Sequence, residues 1–469
     1  MNKKTKVAIV NTPLLKESSH HVLLPPLGLA YLAAVLEQDG HEIKIIDCPK
    51  CDIDHEKLRA ELSSFEPNLI GIGCMTLTAK SALQSARVAK EACPNSKVVL
   101  GGPHATFMDK QILSEEAAVD IVVRGEGELT MVELAQHSPD SEKFGEIDGI
   151  TFRNSNGQIM QTRDRAFIQN LDELPRPAYK YLPMEKYKIY GKAYLPIMTS
   201  RGCPFQCSFC MSPKMWGTKF RARSPKNVVD ELEWLRDVHG ASATAFCDDT
   251  MTLDKKRMLE ICEEIKNRKI RIPWDCRTRV DQISKEVLAK MKEANCQLVS
   301  FGAESGCQKM LHIMKKGTTV EQNERAIRWA KEVGLSVAVS IIIGYPGETA
   351  DMLKQSLDFI RRIKPDDAWL SIATPYPGTE MRAQIESMGW KMSSDWDLYP
   401  NDPKHPTFEN PLLSAEEISK IRKTFYYSLY SPRYVLRQAV KGYLKGNFYC
   451  RSMARIAASY LLWRIGSIF

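Results

Sequence analysis

Over the first 140 residues, short apolar runs alternate with amphipathic stretches. The runs fall at Val7–Val10, Ile43–Ile46, Leu69–Ile72, Val98–Leu100 and Ile121–Val123. Between the first two, Leu29, Leu32, Ala33 and Leu36 repeat at helical spacing and stop at Gly40. Such alternation predicts an α/β domain over residues 1–140 with a parallel, doubly wound sheet. Sheets of this kind bind ligands beyond the carboxyl ends of their strands. Those ends read Asn11-Thr12-Pro13, Cys74-Met75-Thr76, Gly101-Gly102-Pro103-His104 and Arg124-Gly125-Glu126-Gly127-Glu128.

The pattern breaks over residues 141–192. Ile150–Arg153 and Ile159–Thr162 flank Asn154-Ser155-Asn156-Gly157, a hairpin signal, and LDELPRPAYKYLP supplies a proline-rich connector. A second alternating series spans residues 193–385. Its strands are expected at Leu195–Thr199, Thr244–Cys247, Arg271–Asp275, Leu298–Gly302, Ser336–Ile343 and Ala368–Ile372, with helical patterns such as Val228–Val238 and Asn323–Val333 between them. Six β/α units suit a barrel or an open partial TIM barrel, with its site at the carboxyl ends of the strands. Residues 386–469 read as helical and aromatic.

Composition narrows the class. With 469 residues, 43% hydrophobic and 26% charged, the chain has material for two or three globular domains. The apolar run after the first basic residues reads as a strand rather than a signal peptide. No apolar stretch has the length of a membrane span. In a cytoplasmic chain, thirteen cysteines without a disulfide-like framework read as reduced thiols plus a metal site. The net charge of +8 is local: ten Lys and Arg follow Glu417, and no acid does. That tail fits either helices packed over the barrel mouth with a solvated basic face, or a surface for peripheral membrane contact. No recognisable nucleic-acid module accompanies it, so no nucleic acid is expected, and no phosphate-binding G-x4-G-K-[ST] loop occurs.

The chemistry centres on SRGCPFQCSFC, where Cys203, Cys207 and Cys210 are spaced C-x3-C-x2-C after the first strand of the second series. Three thiolates can hold three irons of a cuboidal cluster and leave the fourth open to a ligand. The alternatives are unconnected buried thiols, or a zinc site lacking its fourth ligand, since His104 and His239 are remote in sequence. With Phe209 before Cys210, this motif in this place resembles the radical S-adenosylmethionine (SAM) superfamily. The resemblance implies a 4Fe-4S cluster whose open iron binds SAM, and cleavage of SAM to a 5′-deoxyadenosyl radical. It assigns SAM contacts to Phe209, to Asp248 and Asp249 after the second strand, and to Glu304 after the fourth. Ser340, Gly344 and Tyr345 are similar to the adenine-side motif, with Ser340 in place of its first glycine.

The first domain has two precedents within that superfamily. A methylthiotransferase would carry a second cluster, but Cys48 and Cys51 lack a suitably placed third partner in Cys74 or Cys93, and the RNA-binding domain of those enzymes is not recognisable. The cobalamin-binding class fits better. Thr12, Pro25, Leu27, Met75, Thr76, Gly101, Gly102, His104, Glu126 and Gly127 become the expected cobalamin contacts. The D-x-H-x-x-G motif is missing, since His20 and His21 lack its Asp and Gly and His55 follows the wrong strand, so cobalt is expected without a histidine ligand. The resemblance over residues 1 to about 385 thus implies a cobalamin-dependent C-methyltransferase acting on an unactivated carbon, with methyl from methylcobalamin. It also implies an electron donor such as ferredoxin or flavodoxin. Non-methylating cyclisation or carbon–carbon joining on a lipid or tetrapyrrole is the second reading, and a cobalamin-responsive binding protein the third. The substrate is not named by the residues.

Overall fold

The computed structural model describes residues 4–14, 24–137, 141–189, 191–399, 406–429, 431–444, 447–450, 454 and 458. Strands β1 (Lys6–Asn11), β2 (Glu42–Asp47), β3 (Leu69–Gly73), β4 (Lys97–Gly101) and β5 (Ile121–Val123) are parallel, in the order β2-β1-β3-β4-β5. The order reverses at β1, which leaves a crevice beyond the ends of β1 and β3. The predicted hairpin forms as β6 (Ile150–Arg153) and β7 (Ile159–Gln161), but it is no free-standing connector. β6 pairs antiparallel with β5 and covers an edge that would otherwise present unpaired backbone groups.

The connector then wraps the first domain. Ala178 N donates to the Ala30 carbonyl, Tyr181 Oη to Glu37 at 2.8 Å, and Tyr187 Oη to Asp47 at the end of β2. A short strand β8 (Lys188–Ile189) turns back antiparallel onto β9 (Lys192–Ile197). Beyond it come the two-residue strands β10 (Ser200–Arg201) and β11 (Arg221–Ala222), then β12 (Ala241–Phe246), β13 (Trp274–Thr278), β14 (Cys296–Glu304), β15 (Ser336–Ile343) and β16 (Asp367–Ile372). β9 and β12 to β16 are parallel in chain order, so the sheet curls into an open half-barrel. β13 lies three residues later than the apolar pattern suggested: Ile270 and Ile272 are buried as a loop, and Pro273 lacks the N–H that a ladder needs. One hydrophobic core runs through both units, joining Val7, Ile9, Leu69 and Met131 to Leu195, Ile197, Phe301 and Val337.

The described tail divides between the two ends of the barrel. Its first helix, Ala415–Leu429, starts at the carboxyl end, where Ile418 packs over Gly344, and runs beside β16, where Arg422 Nε donates to the Leu370 carbonyl and Tyr426 Oη accepts from Leu370 N. The described residues from Pro432 on pack at the strand N-termini. Phe448 N donates to Gln297 Oε1, Asn447 Nδ2 to Ser336 Oγ, and Tyr449 Oη to the Thr244 carbonyl. Tyr460, Leu461, Leu462, Trp463, Ile465 and Phe469 lie outside the described residues. Inside the barrel floor, Asp275 accepts from Tyr194 Oη at 2.5 Å. Burial pushes the Asp275 carboxyl up to about 6, opposed by Tyr194, Tyr449 and Arg277.

The fold therefore holds the Asp275 proton more tightly than the unfolded chain does. Its contribution to stability is present below the unfolded pKa, about 4, and is lost as pH rises through about 6. Asp275→Asn is expected to match the wild type near pH 4 and to exceed it by about 2 kcal/mol at pH 7. Chemical denaturation across that range checks this; equal pH profiles for the two proteins would contradict it.

Candidate functional site

The cysteine loop leaves β9 and is clamped at its base. β10 pairs antiparallel with β11, and Gly202 follows at φ +88°. A Cβ on Gly202 would collide with the Lys219 carbonyl, so only glycine allows this turn. Cys203 N then donates to the Gly217 carbonyl at 3.0 Å. At the loop's centre, Ser208 N donates to Met314 O and Met381 N to Ser208 O, while Ser208 Oγ and Tyr345 Oη share a bond of 2.7 Å. Strand-end segments from β9, β14, β15 and β16 thus hold one loop.

Cys203, Cys207 and Cys210 line one cavity of about 270 Å³ with Phe209, Asp249, Glu304 and Ser340. Burial pushes the Cys203 thiol up, and that of Cys210 to about 11, so these thiols need a metal cation to ionise. Among the described residues, no three His, Cys, Asp or Glu side chains converge to hold a metal ion. A set of three thiols around one cavity fits a cuboidal cluster, whose irons are spread, better than a single zinc ion.

Three side chains absent from the sequence reading complete this wall. Arg279 is buried, donates from Nη1 to Cys207 Sγ at 3.4 Å, lies 3.7 Å over the Phe205 ring and donates from Nη2 to the Lys316 carbonyl. Lys316 Nζ pairs with Glu304 Oε1 at 3.0 Å in a buried bridge, which holds Glu304 at φ +62°. Arg277 reaches the same cavity, exposed to it, with no hydrogen bond or ion pair among the described residues. Lys316 gives no local signal in sequence, whereas Arg277 lies near the carboxyl end of β13 and Arg279 just beyond it, where chemistry is expected.

Asp248, Gly344 and Tyr345 stand back from the cavity. Asp248 is buried and accepts from Thr199 N at 2.6 Å, from Thr199 Oγ1 and from Ser200 Oγ, so it fixes the approach to the cysteine loop. Asp249 reaches the cavity and accepts from Ser212 Oγ at 3.0 Å; burial raises its pKa. Gly344 turns at φ +75° under Ile418, and Tyr345 is fully buried against Ser208.

In the first domain, the crevice at β1 and β3 opens into a cavity of about 660 Å³ lined by Pro13, Cys48, His55, Thr78 and Ser81. Thr12 lies beneath it, bonded to Ser81 and Ser85. Met75, beyond the end of β3, is 49% exposed and does not line this cavity. Gly102 turns at φ +109°, where a Cβ would meet the Cys74 carbonyl at 2.9 Å. Gly101 ends β4 beside Val123. His104 is buried, its Nδ1 3.3 Å from Thr76 Oγ1 and its ring edge-on to Trp396; burial lowers its pKa to about 4. Cys48 is buried and Cys51 half-buried on a short helix, and burial raises both thiols. Pro25 is buried, Leu27 packs with Tyr31 and Met198, and Gly127 lies against Leu32.

Glu126 joins the two units. It accepts from Arg201 Nη1 at 3.0 Å, Arg221 Nη1 at 2.8 Å and Ile168 N at 2.7 Å, while Arg201 Nη2 donates to Glu128 at 2.5 Å. All four charged groups are buried. Arg201 immediately precedes Gly202 and Cys203, so the first domain grips the cysteine loop directly.

Two variants probe this construction. Gly202→Ala is expected to lower iron bound after anaerobic reconstitution by several-fold while the far-ultraviolet spectrum persists; full iron loading would contradict the turn's role. Glu126→Gln is expected to destabilise the protein by about 3 kcal/mol, because buried Arg221 loses its counter-charge and Arg201 keeps only Glu128. A denaturation midpoint within error of wild type would refute that.

Comparison with known proteins accords with this architecture. Residues 197–360 match the radical SAM superfamily and residues 19–135 the B12 binding domain. The chain is 36% identical over 433 residues to an uncharacterized methyltransferase of Pyrococcus horikoshii, covering 90% of this chain and 94% of that protein. It is 32% identical to the anaerobic magnesium-protoporphyrin IX monomethyl ester cyclase of Rubrivivax gelatinosus, over 84% of this chain and 71% of that one. Its fold resembles the cobalamin-dependent SAM radical enzyme OxsB, solved with aqua-cobalamin and SAM, at a TM-score of 0.75 and 17% identity, covering 98% of this chain and 72% of that chain. The chain belongs to the radical SAM superfamily, in the branch whose half-barrel follows a B12-binding domain, and is an enzyme of 4Fe-4S cluster, SAM and cobalamin.

Proposed function

We propose that the protein is a cobalamin-dependent C-methyltransferase acting on an unactivated carbon of a small molecule. The observation that carries this reading is the direct grip of Glu126 and Glu128 on Arg201, which holds the two cofactor domains in one register beside Cys203. When bound, the cluster with SAM supplies a 5′-deoxyadenosyl radical and cobalamin supplies the methyl group.

The chain's own part is holding and exclusion. Cys203, Cys207 and Cys210 would ligate iron. Phe209, Asp249, Glu304 and Ser340, which line the cysteine cavity, would reach SAM, and Lys316 fixes Glu304. Asp248, Gly344 and Tyr345 act as supports of that wall. Met75, Thr76 and the Gly101–His104 turn would meet cobalamin at the switch point, with Pro25 and Gly127 nearby. Thr12, Leu27 and Glu126 are engaged within the protein and would shape the cobalamin site from behind. An external reductant, ferredoxin or flavodoxin in kind, would deliver the electron. No helix among the described residues is long and apolar enough to cross a membrane, and the basic tail would give peripheral membrane contact.

Radical cyclisation is the second reading, favoured by the 32% identity to the cyclase. Incubating the anaerobic holoenzyme and cell extract with methyl-labelled SAM separates the two. A product with a methyl-sized mass gain carrying the label is expected. A product with an altered hydrogen count, 5′-deoxyadenosine and no label transfer would replace methylation by cyclisation.

The cobalt environment gives a second test. His104 is neutral, bonded toward Thr76 and covered by Trp396. Paramagnetic resonance of the Co(II) form is expected to lack nitrogen superhyperfine splitting. Splitting that disappears in His104→Ala would make His104 a cobalt ligand.

A further inference from the structure

The helix Pro432–Ala439, continued by the turn Val440–Leu444, seats one face on the loop before β16. Gln438 Nε2 donates to the Asp366 carbonyl at 2.9 Å, Arg437 Nη2 to the Pro365 carbonyl at 3.1 Å, and Lys441 pairs with Asp366. Tyr434 and Gln438 are buried there. The other face is the unusual one. Leu436 is 66% exposed, Val440 39% and Tyr443 50%, at i, i+4 and i+7, with exposed Arg433 and Arg437 between and beside them. The remaining large exposed apolar residues, such as Met160, Val238 and Met388, are spread through the sequence without such spacing. A groove of about 490 Å³ alongside adds Lys364 and Arg361. Nearby acids are already used, Asp366 on Lys441 and Asp358 on Arg361, and none follows Glu417.

We infer that this face docks the enzyme on an anionic bilayer, with Leu436, Val440 and Tyr443 in the interface and Arg433, Arg437 and Lys364 at the phosphates. Large aliphatic and aromatic side chains interleaved with cations on one convex helix match what a bilayer interface offers to each. An acidic protein would satisfy the cations but leave Leu436 and Val440 unrewarded. The direction of docking follows from the barrel. The loop 364–366 lies at the N-terminal ends of the strands and the cysteines lie at the C-terminal ends. A strand the length of β15 puts about 25 Å between them. The bilayer is therefore an anchor on the side away from the cavity and does not feed substrate into it.

This rests on the peripheral contact proposed above and not on methyl transfer, which the labelled product tests separately. The experiment is flotation of full-length holoenzyme with phosphatidylglycerol–phosphatidylcholine vesicles and with phosphatidylcholine vesicles, at low and high salt. Wild type is expected to float with the anionic vesicles at low salt only. Leu436→Ser with Val440→Ser should weaken binding at least tenfold, and Arg433→Gln with Lys364→Gln by about fivefold per cation removed. SAM cleavage should stay at the wild-type rate in both variants, which also shows that they fold. No flotation of wild type overturns the membrane contact itself. Flotation undiminished in both variants, or equal with neutral vesicles, overturns this surface and its chemistry.

Discussion

Four buried charges at one point hold this molecule in register. Arg201 and Arg221 come from the two-strand ribbon under the cysteine loop, Glu126 and Glu128 from the end of β5. Removing such groups from water costs several kcal/mol each, and mutual attraction offsets this only when hydrogen bonding is complete. Here Glu126 takes two guanidinium bonds and a backbone N–H, and Arg221 gives its other donors to the Ile168 and Trp216 carbonyls. Arg201 also lies over Tyr31 and Trp216. Apolar residues of the same volume could pack as firmly, but they would not fix one orientation. The pairs give the interface a direction, and Cys203 lies two residues from it.

Rigidity then spreads from that point by short steps. The Gly202 turn transmits the position of Arg201 to Cys203. Ser208 passes it to Tyr345 and Met314, and Arg279 carries it from Cys207 to Lys316 and so to Glu304. Each step is a buried bond to a different strand end, so no single loop has to be stiff by itself. Glu304 shows the cost of the arrangement: a non-glycine residue at positive φ is disfavoured, and the Lys316 bridge holds it there.

Periodicity made the two α/β series legible, because strands buried on both faces leave continuous apolar runs whatever lies around them. The cysteine triplet was legible for a related reason: cluster ligands must come in a fixed local spacing. What failed to show was anything set by packing across the chain. Glu126 looked like part of a glycine-rich ligand turn, and its partners Arg201 and Arg221 lie 75 and 95 residues away. Asp248 looked like a cofactor contact because it ends a strand, yet its carboxylate serves Thr199 and Ser200. Lys316 carries no motif at all, and Arg277 has only its place near the carboxyl end of β13. The hairpin read as a linker because sequence marks its turn but not the β5 edge that it covers.

The two ends of the half-barrel have opposite tasks, and the tail explains how one chain serves both. An open half-barrel would admit water from its floor as well as its mouth. Tyr449 fills that floor, packing on Leu298 and Ala338 and bonding the Thr244 carbonyl, while Phe448 and Cys450 are held by Gln297 and Ser336. Access to the cysteine cavity is thereby shifted toward the end that faces the first domain, where Arg201 fixes the spacing. The tail's cations Arg433, Arg437 and Lys441 lie by the loop before β16, at the strand N-termini and far from the cavity wall that carries Arg277, Arg279 and Lys316. At the cavity the buried cations Arg279 and Lys316 are paired, with Asp281 and Glu304, whereas Arg433 and Arg437 at the other end are exposed. Exposed charges can be bound, screened or exchanged without disturbing buried pairs, because salt screens exposed charges over about 10 Å at ordinary ionic strength.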